Sequence, residues 1–199
     1  MSLVKTVRDK VSKFKEQYAI YGGHAANLYR HEPRAVTEIS FALALGSAKK
    51  SRKIAEGILA ELGYSVDHEW LDGLHSKTGK TVAVVLGTPP AGEDLQPLHF
   101  YVPSLPWVSK GVRRGQGTPH LIDGVEIPAI AVDDLIVAKF HSLTLNPKSK
   151  VDLDDLESIF KSETPIEIPY VMGELNMLEL TIPKALEGAI PEELQKYIK

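Results

Sequence analysis

The alternation of hydrophobic and polar residues divides the chain into helical and extended segments. Near the N-terminus, apolar residues recur at steps of three and four with basic residues between them, which predicts an amphipathic helix over residues 3–17. A second stripe of this kind predicts a helix over residues 48–62, which Ser47 caps and Gly63 ends. Four more helical patterns follow in the C-terminal part, over residues 133–145, 151–161, 170–178 and 191–198.

Extended segments lie between these helices. Alternating or continuous apolar runs predict strands over residues 18–21, 33–41, 64–71, 81–86 and 95–102. The pair Asp123-Gly124 stands between two apolar runs and predicts a β-hairpin there. Clusters of glycine and proline predict irregular segments over residues 74–80, 103–117 and 165–169.

The pair Gly22-Gly23 is the centre of the pattern that says most about function. A short apolar strand ends on these glycines, and a compact helix begins at His24. The next strand places Glu38 and Ser40 on one face, because their side chains are two residues apart. A helix that begins after a glycine turn presents backbone N–H groups, which favour an anion such as phosphate.

The same residues also have purely structural interpretations. Gly22 and Gly23 suit any tight turn from a strand into a helix. Glu38 suits an exposed strand edge, although Ser40 two positions later favours a side chain that faces a site. His24 stands where either a capping residue or a ligand is expected, and the sequence leaves both open.

Composition excludes several classes of function. The 199 residues carry a net charge of -3 and 43% hydrophobic residues, which is typical of a soluble globular protein and not of a basic nucleic-acid-binding protein. The absence of cysteine excludes disulfides, thiolate zinc sites and a cysteine nucleophile. No apolar run reaches transmembrane length, and the lysine-rich N-terminus lacks the apolar segment of a signal peptide. The expected compartment is therefore the cytoplasm, with no membrane partner.

Three stretches together suggest a family. They are the glycine turn at residues 21–26, the strand at residues 34–41 and the helices over residues 130–160. Their order and spacing resemble the nucleotidyltransferase superfamily. The likeness is to its small bacterial branch, which includes minimal nucleotidyltransferases and the toxins of abortive-infection systems.

This resemblance implies a fold and a nucleotide site. The fold is α/β, with a mixed sheet flanked by helices in a core over residues 1–130 and a C-terminal helical part over residues 131–199. The bound ligand is a nucleoside triphosphate. The resemblance assigns its binding to five residues: Gly22, Gly23, His24, Arg34 and Lys139. Lys139 suits the polar side of an ordinary helix equally well.

The resemblance also implies a metal site, from which this sequence departs. Members of the superfamily transfer a nucleotide with two Mg²⁺ ions held by three carboxylates. The three corresponding catalytic positions are Glu38, Ser40 and His99, so that only Glu38 is a carboxylate ligand. The sequence therefore predicts a weakened or lost Mg²⁺ site. His99 is also an ordinary structural histidine in the alternative interpretation.

Two functions of different classes follow from the resemblance. One is a nucleotidyltransferase with an atypical metal site. The other is a non-catalytic relative that binds a nucleotide, a nucleic acid or a protein partner, in a toxin–antitoxin or phage-defence pair. A basic cluster of Lys110, Arg113 and Arg114 beside Trp107 is a further candidate for contact with phosphate.

Overall fold

The computed structural model describes residues 2–71 and 81–199, so the predicted turn over residues 74–80 lies outside the described residues. The helices are α1 (Leu3–Val11), α2 (Gly22–Tyr29), α3 (Ala48–Glu61), α4 (Pro106–Arg114), α5 (Val132–Leu145), α6 (Lys150–Phe160) and α7 (Ile168–Met177). The strands are β1 (Tyr18–Tyr21), β2 (Ile39–Leu43), β3 (Ser65–Leu71), β4 (Thr81–Thr88), β5 (Leu98–Tyr101), β6 (Pro119–Ile122) and β7 (Val125–Pro128). Short 3-10 segments cover Ser12–Gln17, Gly115–Gly117, Lys184–Leu186 and Glu192–Tyr197. None of the helices in the described ranges combines the length and the apolar character needed to cross a membrane.

The chain forms two compact units. Unit 1 comprises residues 1–24 and 35–130 and contains both sheets. Unit 2 comprises residues 25–34 and 131–199, in which α5 packs against α6 and α7. The two units are described separately below.

Unit 1 is built on a five-stranded mixed sheet with the order β1-β2-β5-β4-β3. The pairing of β2 with β5 is parallel, whereas β1–β2, β4–β5 and β3–β4 are antiparallel. The predicted mixed sheet is confirmed, and the strand before Gly22 pairs with the strand after Glu38. Helix α3 packs on β3, β4 and β5 and buries one face of the sheet.

Local sequence signals place several elements correctly. The hydroxyl of Ser47 accepts a hydrogen bond from the backbone N–H of Lys50, and Gly63 has a φ of +76° just after α3. Asp123 and Gly124 have φ values of 51° and 75°, which match the central residues of a type I′ hairpin turn between β6 and β7. The predicted helix and hairpin are both confirmed.

Several predictions of local structure are wrong. The irregular segment over residues 103–117 contains helix α4, with Pro106 in its first turn and Trp107, Val108 and Val112 buried. The N-terminal helix ends at Val11 and passes into a 3-10 segment instead of continuing to residue 17. Strand β2 begins only at Ile39, and Pro169, predicted in a linker, lies in the first turn of α7.

Candidate functional site

Helix α2 begins where β1 ends, without an intervening loop. Gly22 has a φ of +65°, a conformation that residues with a side chain rarely adopt, and it lies directly against β2. A Cβ at this position would lie 3.0 Å from both the Cβ and the Oγ of Ser40. The helix thus starts two residues earlier than predicted, with Gly22, Gly23 and His24 in its first turn. Both backbone conformation and close contact require glycine at position 22.

Ser40 lies in a row of side chains that crosses the sheet. It is the register partner of Tyr21 on the antiparallel β1 and of His99 on the parallel β5. Register partners present their side chains on the same face, so Ser40 and His99 are neighbours there. Ser40 is only 1% exposed, whereas His99 is half-buried.

Glu38 stands immediately before β2, on the side of the sheet where α2 begins. Its Oε2 accepts a hydrogen bond of 2.8 Å from the hydroxyl of Thr37. Burial lowers the pKa of His99, and the negative charges of Glu38 and Glu69 offset part of that effect. His99 is therefore a neutral imidazole near pH 7.

The three predicted metal positions supply one carboxylate among them, and the weakened Mg²⁺ site stays a prediction. Mg²⁺ requires several hard oxygen ligands, and carboxylates supply most of the charge that holds it. Glu38 is the one carboxylate among the three, beside the hydroxyl of Ser40 and the imidazole of His99. Within residues 2–71 and 81–199, no three His, Asp or Glu side chains are grouped closely enough to hold a metal ion.

Arg34 and Lys139, predicted to bind nucleotide, both lie in unit 2 and form ion pairs there. The Nε and Nη2 atoms of Arg34 donate to the two carboxylate oxygens of Asp155, at 2.7 and 2.9 Å. Lys139 is 4% exposed, and its Nζ lies 2.6 Å from Asp155 Oδ2 and 3.0 Å from Asp152 Oδ1. Their role in nucleotide binding stays a prediction.

Asp155 is the centre of this ion-pair cluster. Its carboxylate is fully buried and also lies 2.5 Å from Nη1 of Arg30. Burial alone would raise the pKa of Asp155, but the hydrogen bond from Arg34 and the charge of Lys139 hold it below its usual value. Asp155 lies within α6, and sequence reasoning did not identify the cluster that it forms with its three cationic partners.

Sequence reasoning also missed an aromatic cluster beside Ser40. The ring of Trp107 stacks on Tyr21 at a centroid distance of 4.9 Å, and Tyr101 lies 4.3 Å from Tyr21. The indole N–H of Trp107 is buried and has no hydrogen-bond partner among the described residues. The sequence did contain a signal for this cluster, because Tyr101 follows His99 by two positions and must share its face of the strand.

The basic residues Lys110, Arg113 and Arg114 lie on α4, not in a loop as predicted.

The sequence matches no protein-family model and no curated protein. Solved structures that match this chain include the following three. The solution structure of the antibiotic-resistance factor ANT(2'')-Ia has a TM-score of 0.53 at 13% identity, over 88% of this chain and 86% of that chain. The crystal structure of ANT(2'')-Ia in complex with adenylyl-2''-tobramycin has a TM-score of 0.54 at 14% identity, over 89% and 95%. An antigenic nucleotidyltransferase-like protein from Paracoccidioides brasiliensis has a TM-score of 0.49 at 14% identity, over 90% and 92%.

At these identities the similarity shows the fold alone. The chain is a mixed α/β protein whose five-stranded sheet is flanked by helices, and this architecture is similar to nucleotidyltransferase folds. The predicted fold class is confirmed.

Proposed function

We propose that this protein is nucleotidyltransferase-like and binds the phosphate groups of a nucleoside triphosphate at the start of α2, without metal-dependent transfer of the nucleotide. The observation that carries this proposal is the contact between Gly22 and Ser40. It brings a buried hydroxyl against the first turn of a helix at a position where only glycine fits.

The physical chemistry of that position favours an anion. The first turn of an α-helix has N–H groups without an acceptor inside the helix, and the helix dipole places partial positive charge there. The hydroxyl of Ser40 adds a donor on the sheet side. Backbone N–H groups and a hydroxyl bind phosphate without any metal ion, so this half of the site functions when the carboxylates are absent.

Glu38 has the opposite effect when no metal is present. Its carboxylate lies at the same end of β2 and repels a triphosphate. In a two-metal site such a charge is useful because it holds the cations. A single carboxylate beside Ser40 and His99 does not hold them. The proposal therefore treats Glu38 as a residue that weakens phosphate binding.

The first ligand to test is ATP. The crystal structure of ANT(2'')-Ia contains an adenylylated product, and that protein shares the fold of this chain. The other nucleoside triphosphates serve as comparisons, because the described residues do not indicate a preference for a particular base.

A second candidate is an active nucleotidyltransferase with a variant site, in which the acceptor is an RNA or a paired protein of a toxin–antitoxin system. The pKa of His99 favours it, because the charge of Glu38 acts on this imidazole and Ser40 is its neighbour on the sheet. Three polar groups then lie at one end of β2 and β5.

Calorimetry and a transfer assay separate the two candidates. With EDTA present, we expect ATP to bind. Ser40→Ala should weaken this binding about tenfold, because one hydrogen bond to a charged group is lost. Ser65→Ala, on the exposed part of β3, is the control and should have no effect. We expect Glu38→Ala to leave the affinity unchanged or raise it. Labelled nucleoside triphosphates with Mg²⁺ or Mn²⁺ and RNA or protein acceptors should give no transfer. Metal-dependent transfer that Glu38→Ala abolishes would establish the second candidate, and absence of ATP binding would refute the first.

A further inference from the structure

A cavity of unit 1 lies at the opposite end of β1 and β2 from Gly22 and Glu38. The residues just after the end of β2 and just before the start of β1 form one wall of this cavity, and helix α4 forms the other wall. Its volume is about 480 Å³, within the range of small-molecule sites. The lining residues are Lys15, Glu16, Gln17, Ala44, Ser109, Val112 and Arg113.

Hydrogen bonds fix the walls of this cavity. The backbone N–H of Ala44 donates to the carbonyl of Gln17 at 2.8 Å, which joins the ends of the two strands. The side-chain amide of Gln116 donates to the carbonyl of Tyr18 at 3.0 Å and to that of Val112 at 2.8 Å. Helix α4 is thus tied to the start of β1.

Two cations line the cavity without forming ion pairs. Lys15 and Arg113 are both exposed, and within residues 2–71 and 81–199 neither has a salt bridge or a side-chain hydrogen bond. By contrast, Lys10 nearby in the chain pairs with Glu61 at 2.6 Å. The hydroxyl of Ser109 adds a donor, and the carboxylate of Glu16 adds one acceptor.

The backbone at Lys15 is in a conformation that disfavours lysine. Lys15 has φ 51° and ψ −121°, and Glu16 has φ −79° and ψ 17°. These values match the two central residues of a type II′ turn, in which glycine dominates the first central position. Strain of this kind clusters at functional sites, where the side chain contributes something that glycine cannot. At this position the contribution is a cation at the mouth of the cavity.

We propose that this cavity binds a small phosphate monoester that carries hydroxyl groups. Lys15 supplies a compact positive charge, and Arg113 supplies a planar guanidinium group with several N–H donors. This combination suits a phosphate dianion. The cavity exceeds the volume of a bare phosphate ion, and the side chain of Ala44 offers apolar contact for a carbon skeleton. Glu16 accepts hydrogen bonds from ligand hydroxyls, which selects against a plain inorganic anion.

Binding of ribose 5-phosphate, inorganic phosphate and an RNA 12-mer without terminal phosphates tests this proposal by calorimetry. We expect ribose 5-phosphate to bind, inorganic phosphate to bind more weakly, and Lys15→Gln and Arg113→Gln each to weaken ribose 5-phosphate binding at least about tenfold. Lys53→Gln on α3 removes an exposed cation outside the cavity and should change the affinity less than about twofold. Lys15→Gly should lose binding as Lys15→Gln does, but raise Tm because it removes the turn strain. This variant separates loss of the site from loss of the fold.

Three results would overturn the proposal. The first is equal affinity for inorganic phosphate and ribose 5-phosphate, which would mean an adventitious ion only. The second is an equal loss of affinity in Lys53→Gln and Lys15→Gln, which would mean a general charge effect. The third is binding of the RNA alone with the same dependence on Lys15, which would assign the cavity to a nucleic-acid backbone.

Discussion

Any side chain at position 22 would place its Cβ 3.0 Å from both the Cβ and the Oγ of Ser40. This contact joins the start of α2 to the second strand of the sheet. The proposed phosphate site therefore depends on glycine at this position for two separate reasons, conformation and space.

Replacement of Gly22 by alanine should damage both the fold and the site. The φ of +65° strains any L-residue, and the new methyl group displaces Ser40, so we expect a loss of about 1–3 kcal/mol in the free energy of unfolding. Binding of ATP should weaken in parallel. Urea unfolding followed by circular dichroism, with calorimetry of ATP, measures both effects.

Gly57→Ala is the matched control. Gly57 lies within α3, has an ordinary φ, and a Cβ there would meet no atom within 4 Å. We expect this change to stabilise the protein by about 0.4–1 kcal/mol, because alanine restricts the unfolded chain. Equal effects of the two substitutions would contradict the importance of the contact with Ser40.

The buried carboxylate of Asp155 should be essential for stability. Asp155→Asn removes the fully buried carboxylate that Arg30, Arg34 and Lys139 share, and we expect a loss of about 3–5 kcal/mol. Asp154→Asn changes a carboxylate that is 60% exposed and pairs with Arg30, so less than about 1 kcal/mol should be lost. Similar free energies of unfolding for the two variants would refute the central role of Asp155.

Stability should fall as the pH is lowered below about 6.5. Burial lowers the pKa of His99 and of His120 in the folded state, whereas the unfolded histidines keep a pKa of about 6.5. Between the folded and unfolded pKa values the unfolded chain binds more protons, so acid favours unfolding there. His99→Gln should reduce the loss of stability between pH 7.5 and pH 5.5, measured as urea midpoints.

The interaction between the charge of Glu38 and the imidazole of His99 can be tested directly. Because it raises the pKa of His99 against the effect of burial, Glu38→Gln should lower that pKa further. An NMR titration of the His99 ring protons measures the change. No change in the pKa would mean that the two side chains are too far apart to act on one site.

Restored carboxylates should create a metal site. The combined change of Glu38, Ser40 and His99 to aspartate places three carboxylates on or beside two neighbouring strands. We expect stoichiometric Mn²⁺ or Mg²⁺ binding by calorimetry in this triple variant and weak or absent binding in the unmodified protein. The triple asparagine variant has the same shape without the charge and serves as the control. Tight Mg²⁺ binding by the unmodified protein would contradict the weakened site.

Local chemistry was sufficient to predict many elements from the sequence. Ser47 and Gly63 mark the ends of α3, and Asp123-Gly124 marks the hairpin, because a cap or a tight turn depends on a few neighbouring residues. The order of strand, glycine turn, helix and strand around Gly22 was predictable for the same reason.

Helix α4 shows how local signals mislead. Proline and glycine between residues 103 and 117 suggested a loop, yet Pro106 stands in a first turn that tolerates it. The buried side chains of Trp107, Val108 and Val112 have helical spacing, so burial against the sheet outweighs the poor helix propensity of Gly111.

The sequence by itself determined the class of fold and the glycine turn at residues 22 and 23. Only the tertiary structure decided which residues meet. Ser40 and His99 are neighbours because β2 and β5 pair in parallel although other strands separate them in the chain. Lys139 faces Asp155 because helices pack, and Lys15 shares a cavity with Arg113 because α4 closes over the strand ends. Such contacts depend on the burial of whole faces, a property that no short stretch of sequence contains.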